Sequence, residues 1–397
     1  MRKVVVSGIG ILTSLGNTIE SNWESMLNSK NGITALDTNL PVKVAGKAVN
    51  FDIKQFGVSK KHATQMDFQS SMLVYCGLMA LKNAELNWPD DTMKYSTGAI
   101  VGVGNAFASR YNDTEFCKRN PLWFLETYPN MALGYLSAIA SLTGYGSTNI
   151  SACASSTHSI GTAFKLIQSG HAKIILAGGV EDKLIEPVVS GFMNLGMCTT
   201  ASNPDTAMMP FDKKRNGFVI GQGACILVLE EYQHAIDRGI KPLCCIVGYG
   251  ASMNAKNLTD ADREGISNSM KMAILDANIY PNQINYINAH GTSTISNDRE
   301  ESLAIKNVFG KKAYEIPINS TKSMIGHTFA ACGAIESAIC TQSLMHQKIH
   351  PTRNFFEGDN DCDLDYVTEK RNVSIDYCMN NNSGIGGFNA TLIFAKI

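Results

Sequence analysis

The 397-residue chain contains no apolar run of membrane length free of glycine, proline or charge. Its N-terminus, Met1-Arg2-Lys3 followed by Val4-Val5-Val6-Ser7-Gly8, has too short an apolar stretch for a signal-peptide core. A cytoplasmic protein without a membrane anchor is therefore expected. Charge of one sign is also missing. The 34 Lys+Arg against 35 Asp+Glu give a net charge of -1, which excludes a global basic field for nucleic acid. An acidic partner would have to meet a local patch. The 11 cysteines are odd in number, scattered, and contain no Cys-x-x-Cys pair, so neither a disulfide framework nor a metal site is expected. Gly8-Ile-Gly10 and Gly102-Val-Gly104 lack the third glycine and spaced acid of a dinucleotide fingerprint. Linkers and low-complexity segments are absent as well.

What is present describes a well-packed α/β chain, 44% hydrophobic and 17% charged, too long for one ordinary core. Short β-branched runs at Val4–Val6, Ala99–Val103, Ile174–Ala177, Cys225–Leu229, Leu243–Val247, Tyr286–Asn288 and Leu392–Phe394 predict strands. Helical spacing predicts helices over Gln65–Ala84, Ser156–Ser169, Ile266–Ala277, Arg299–Phe309 and Gly333–His346. A faint internal repeat relates Gly221–Leu229 to Gly386–Phe394, and Val6–Gly10 to Ile246–Gly250. This reads as a duplicated α/β unit with halves 1–238 and 239–397, the seam falling at Arg238-Gly239.

Three segments carry chemistry: Ser151-Ala-Cys-Ala-Ser-Ser156, Asn288-Ala-His-Gly-Thr-Ser-Thr294 and Ser320-Thr-Lys-Ser-Met-Ile-Gly-His327. Cys153 ends an extended segment and opens a helix, where the helix dipole favours a thiolate, and a thiol can hold an acyl group as a thioester. His290 and His327 lie on glycine-containing turns and can donate to a developing oxyanion. Lys322 and Glu336, nine residues past His327, could form a buried ion pair that orients His327. Thr292 and Thr294 offer hydroxyls to a polar ligand arm. The Cys153 half carries the nucleophile, and the second half both histidines.

On these segments, with Val5-Val-Ser-Gly-Ile-Gly, Ala177-Gly-Gly-Val-Glu-Asp, Pro210-Phe-Asp, Asn216-Gly-Phe-Val-Ile-Gly and Asn382-Ser-Gly-Ile-Gly-Gly, the chain resembles the β-ketoacyl-acyl carrier protein synthases end to end. The resemblance is greatest to type II elongating enzymes and type II polyketide ketosynthases. It implies a duplicated thiolase-like fold, five-layered α-β-α-β-α. It also implies an acyltransferase in which Cys153 takes an acyl chain from a carrier protein, while His290 and His327 stabilise the enolate formed as malonyl-carrier protein loses carbon dioxide. The product is a 3-oxoacyl chain. Lys322 and Glu336 complete the catalytic set, and the amides of Cys153 and Ile385 form the oxyanion hole. Thr292, Thr294, Phe192, Trp123 and Phe388 are the substrate-binding positions. No cofactor is implied beyond the phosphopantetheine of the acyl carrier protein, which would dock on Lys60, Lys61, Lys118 and Arg119. The partners implied are that carrier and either a second copy or a chain-length-factor-like homologue.

Some positions depart from the family pattern. Ile385 replaces the usual gate phenylalanine, Ser383 a second one, Phe388 a threonine, Met209 a common arginine and Gln222 an acid. Gly196, Thr64 and Gln65 stand where the docking patch has bases, and Trp123 where a smaller aromatic lines the neighbouring subunit's pocket. These changes point to a specialised polyketide or polyene-like pathway, against the alternative of housekeeping fatty-acid elongation. A thiolase would need a second catalytic cysteine near the C-terminal loop, and Cys378 lies six residues before Gly384. A non-catalytic chain-length subunit would lack the nucleophile, and a pure carrier-binding module leaves the reactive groups unexplained.

Overall fold

The computed structural model describes residues 1–37, 40–87, 97–104, 114–119, 123–256 and 258–397. The ten strands of its main sheet are β1 (Val4–Leu12), β2 (Thr97–Val103), β3 (Gly146–Asn149), β4 (Ile174–Glu181), β5 (Gly223–Glu231), β6 (Cys244–Met253), β7 (Tyr286–Asn288), β8 (Ile318–Asn319), β9 (Tyr377–Gly384) and β10 (Phe388–Ala395). They lie in the order β8-β7-β9-β10-β6-β1-β5-β4-β2-β3. Read outward from the middle, the series β1-β5-β4-β2-β3 is answered by β6-β10-β9-β7-β8, so each strand has its counterpart five places on. Directions repeat too. β5 runs antiparallel to β1 and β4, and β2 parallel to β4 and β3. Likewise β10 is antiparallel to β6 and β9, and β7 parallel to β9 and β8. Three residue pairs, Val4 with Ile246, Val5 with Cys245 and Val6 with Cys244, join the two series.

Six helices build the layers, α1 (Phe68–Asn83), α2 (Met131–Ala140), α3 (Ser155–Gln168), α5 (Arg263–Asp276), α6 (Ile295–Phe309) and α7 (Cys332–His346), while α4 (Glu186–Asn194) follows β4 in the chain. α3 and α7 pack on each other, and each touches strands of both series, so they form the central layer. α1 with α2 covers the outer face of one series, and α5 with α6 that of the other. The result is the five-layered α-β-α-β-α thiolase-like architecture. Strands β1, β2 and β4 are buried at every residue, as expected where helices cover both faces. α7 is buried from Cys332 to Leu344 and has no polar stripe, because it is enclosed from all sides.

The expected strands and helices are found, with one difference. The helix anticipated over Gln65–Ala84 is two helices, since Lys60–Gln65 ends before Asp67. The Asp67 carboxylate accepts from the Ser70 amide at 2.7 Å and starts α1 afresh. The glycine-rich β1 is explained by α1. A Cβ added at Gly10 would lie 1.9 Å from the Cys76 carbonyl oxygen, a backbone atom with no room to yield. Gly10→Ala should therefore destabilise the fold by about 1–3 kcal/mol through overpacking, read as a lower urea midpoint at unchanged slope. An unchanged midpoint would mean that α1 does not sit this close to β1.

Candidate active site

The sheet carries Cys153 to the junction of the two halves. After β3, the chain turns through Ala152–Ala154 as a single 3-10 turn before α3 begins. Ala152 holds φ +50°, a left-handed conformation that side chains rarely adopt, and so turns the cysteine inward. The C-terminal loop closes on this turn. A Cβ at Gly384 would sit 3.0 Å from the Cys153 nitrogen, so Ile385, the next residue, lies beside the nucleophile.

His290 follows β7 on a turn held from below by two carboxylates of α6. The Glu301 oxygens accept from the amides of His290 at 2.7 Å and Gly291 at 2.8 Å. Asp298 accepts from Ser293 at 3.1 Å and from Phe211 at 2.7 Å. Burial raises the Glu301 carboxyl to about 7 and that of Asp298 to about 6, against the opposing effect of these amides. Neither residue stood out in the sequence. Their signal is the acid spacing three and six residues into α6, which reads equally well as a helix-start preference for acids.

His327 is reached through Gly326 (φ +76°) and is followed by Phe329 (φ +42°). The Phe329 amide donates to His327 Nδ1 at 3.2 Å, so the ring proton is on Nε2, which lies 3.0 Å from Cys153 Sγ. The Phe329 ring stacks on the imidazole at 4.5 Å, Phe192 stacks on Phe329 at 5.0 Å, and Phe218 meets His327 edge-on at 5.4 Å. The thiol and the ligating nitrogens of His290 and His327 all lie within 4.8 Å of one another, the one such convergence of potential metal ligands among the described residues.

The expected ion pair is present but does a different job. Lys322 Nζ donates to Glu336, both side chains 1 % exposed. The other Glu336 oxygen accepts from Asn382 Nδ2 at 2.6 Å, and that amide nitrogen reaches His290 Nδ1 at 3.4 Å. The pair thus orients His290 through Asn382, whereas His327 is held by its neighbour's backbone. With Nδ1 of each ring facing a donor, both imidazoles present Nε2–H to the cavity. Burial depresses both histidines well below their ordinary value, and the Lys322 ammonium depresses them further, so both are neutral. Burial opposes the Lys322 charge, but Cys332, Glu336 and Glu301 hold its pKa above the usual lysine value.

The expectation of a thiolate at Cys153 needs correction. Burial pushes this thiol up to about 12, the nearby Glu181 adding to the rise, and the cations Lys322 and Lys183 offset only part of it. Desolvation outweighs the helix terminus. A second thiol, Cys332, lies alongside and donates to the Cys153 carbonyl oxygen at 3.3 Å. Ten of the eleven cysteines, all but Cys117, are buried. Cys378 packs in β9 toward the Cys340 carbonyl, outside the site.

A pocket of about 310 Å³ leads to the three reactive side chains. Thr292 and Thr294 line it, their hydroxyls 2.9 Å apart, together with Asn216, Asn254, Asn297 and Ile385, the last 42 % exposed. Other expected positions lie outside this lining. Phe388 turns away to meet His158 edge-on at 6.4 Å, Phe192 stands behind Phe329, and Trp123 is half-buried in the turn Trp123–Thr127. Lys60 and Lys61 are exposed on the helix Lys60–Gln65. Lys118 is exposed on Thr114–Arg119 and pairs with Glu115 at 3.0 Å, while the Arg119 side chain lies outside the described residues. No helix among the described residues is long and apolar enough to cross a membrane.

Comparison with known proteins agrees with this geometry. Residues 1–235 match the β-ketoacyl synthase N-terminal domain, and residues 243–356 the β-ketoacyl synthase C-terminal domain. The chain is 36% identical over 409 residues to 3-oxoacyl-[acyl-carrier-protein] synthase 2 of Staphylococcus aureus (strain N315), covering 100% of this chain and 98% of that protein. It is 35% identical to the enzyme of that name from Vibrio harveyi, covering 100% and 99%. Among solved structures, a β-ketoacyl synthase from Burkholderia phymatum STM815 superposes with TM-score 0.93 at 30% identity, both chains covered fully. A chain from a complex of a type II polyketide acyl-carrier protein with its ketosynthase, bound to the hexaketide, gives 0.90 at 30% identity, again with full coverage. The ishigamide ketosynthase/chain length factor gives 0.89 at 27% identity, covering 100% of this chain and 99% of that one. With both halves matched and every element of the repeated sheet in place, the chain belongs to the β-ketoacyl synthase family and is a ketosynthase, an acyltransferase of carbon–carbon bond formation.

Proposed function

We propose that the enzyme condenses an acyl group held on Cys153 with malonyl-acyl carrier protein, giving 3-oxoacyl-acyl carrier protein and carbon dioxide. The observation that carries this reading is the pair of imidazoles that converge beside the Cys153 sulfur, each with its Nδ1 facing a donor. In the first half-reaction the sulfur attacks the thioester carbonyl of the incoming carrier. The oxyanion faces the amides of Cys153 and Ile385, and the departing pantetheine thiol takes up the cysteine proton. In the second, the malonyl carboxylate leaves as carbon dioxide and its electron pair forms an enolate, whose oxygen accepts from His290 and His327. The enolate carbon attacks the Cys153 thioester and expels the thiolate. Neutral donors suit this step, since a charged imidazolium would pair with the carboxylate that has to leave.

No resident cofactor takes part in this scheme, because both acyl groups arrive on phosphopantetheine, its arm lying along Thr292 and Thr294. The carrier docks on Lys60, Lys61, Lys118 and Arg119 of a cytoplasmic enzyme built from halves 1–238 and 239–397. The departures at Ile385, Gly196 and Trp123 favour a specialised polyketide or polyene-like pathway, with a chain-length-factor-like homologue as partner. The solved ketosynthase/chain length factor at 27% identity supports that pairing.

Cys153→Ala should abolish condensation while residual malonyl decarboxylation survives, checked by carbon dioxide release against product mass. Full elongation by this variant would end the assignment. His290→Ala and His327→Ala should each slow decarboxylation roughly a hundredfold or more while Cys153 is still acylated, which intact-mass measurement would record. Lys322→Ala leaves the Glu336 carboxylate buried without its cation and should cost about 3–5 kcal/mol of stability along with activity. Lost activity at unchanged stability would instead give Lys322 a direct part in the chemistry.

A further inference from the structure

The Asn382 amide serves more than one acceptor, and its tilt decides which of them is served. Glu336 takes one hydrogen of Asn382 Nδ2 at 2.6 Å. The second hydrogen has two acceptors at equal range, His290 Nδ1 and Cys332 Sγ, each 3.4 Å from the nitrogen. The torsion that turns an asparagine amide is broad and soft, so the side chain does not make this choice alone. The carboxylate fixes the nitrogen end as a pivot. The oxygen end sets the tilt.

That oxygen accepts from the Thr157 hydroxyl at 2.5 Å, the one donor it meets among the described residues. Thr157 is fully buried on α3, one helical turn beyond Cys153, and reaches across to β9. The first turn of α7 is shaped around this contact. A Cβ added at Gly333 would lie 1.9 Å from Thr157 Oγ1 and 2.7 Å from Asn382 Oδ1, so glycine is what lets hydroxyl and amide meet. Threonine, β-branched in a helix, also has few χ1 choices. β9 is tied to α7 separately, by Asn380, which donates to the Gly333 carbonyl at 2.9 Å and to Ser337 Oγ at 3.1 Å. The sheet is therefore held without Thr157, and the amide plane of Asn382 is not.

On the reading that His290 donates to the enolate, we infer that Thr157 is a positioning residue for that step, acting through Asn382. With its oxygen anchored, the amide gives a proton to His290 Nδ1, and the ring keeps its own proton on Nε2, toward the cavity. Released, the amide turns that proton to Cys332 Sγ. His290 is then free to carry its proton on Nδ1 and to face the enolate oxygen with a lone pair, so one of two donors is lost. Cys153 keeps its contact with His327, and reaction at the thiol is spared.

The test measures two rates in the full-length enzyme. One is carbon dioxide release from malonyl-acyl carrier protein, and the other is alkylation of Cys153 by iodoacetamide, followed by peptide mass. Thr157→Val keeps the shape and removes the hydroxyl. It should slow decarboxylation roughly tenfold or more, part of the loss that His290→Ala produces, with alkylation within about threefold of the unaltered enzyme. Thr157→Ser keeps the hydroxyl and should decarboxylate within about threefold of the unaltered rate. In a His290→Ala background, Thr157→Val should cost less than about twofold more, since its effect passes through that ring. If Thr157→Val does not fold, Thr157→Cys, a weak donor at the same place, carries the same expectations in both backgrounds. Decarboxylation at the normal rate without the hydroxyl, or an equal loss with serine, would overturn the inference. So would equal slowing of both rates, or the full loss repeated in the absence of His290. In each of these cases a slow His290→Ala enzyme leaves the reading of His290 standing. Normal decarboxylation by His290→Ala would overturn both.

Discussion

The ion pair between Lys322 and Glu336 is the interaction on which the site depends. Two charges removed from water are tolerable only with their remaining hydrogen-bonding capacity filled, and the filling is what places His290. Glu336 hands its second oxygen to Asn382, and Asn382 turns toward His290. Burial, and after it the ammonium in the same enclosure, keeps both imidazoles neutral. One buried pair thus sets the orientation of one ring and adds to the burial that holds both uncharged. It also links α7 to β9, so the charge that tunes the chemistry is part of the packing between the central helices and the sheet.

Much of this was legible in the sequence. The β-branched runs, the five helical stretches and the echo between Gly221–Leu229 and Gly386–Phe394 correspond to strands, helices and a repeated sheet order. Cys153, His290, Lys322 and His327 were marked by their small-residue and glycine neighbours, which reflect close backbone approach. What escaped was of another kind. Asn382, Glu301 and Asp298 act through hydrogen bonds that include contacts across 92, 11 and 5 residues of chain, and no local pattern distinguishes a positioning amide or carboxylate from an ordinary polar residue. The state of the thiol was misjudged because helix position is visible in a sequence whereas the depth of burial opposing it is not.

The aromatic residues show the same limit. Phe192 and Phe388 belong to positions where the family resemblance implies substrate contact. One stands at the back of a stack ending on His327, and the other wedges behind the Gly384–Gly387 loop against His158. A ring's chemical type says that it will be covered, and only the fold decides whether by ligand or by protein.

The two short turns before the central helices have a meaning beyond catalysis. Ala152–Ala154 precedes α3 and Phe329–Ala331 precedes α7, each opening on a left-handed residue, Ala152 in one and Phe329 in the other. In the doubled architecture they occupy equivalent places, so the counterpart of Cys153 in the second copy is Ala330. The doubled architecture thus uses one strained turn twice, for two different ends. The first holds a nucleophile at its centre. The second holds Ala330 there and lends an amide and a ring to His327. The active site is asymmetric because two equivalent elements of the fold carry unequal chemistry.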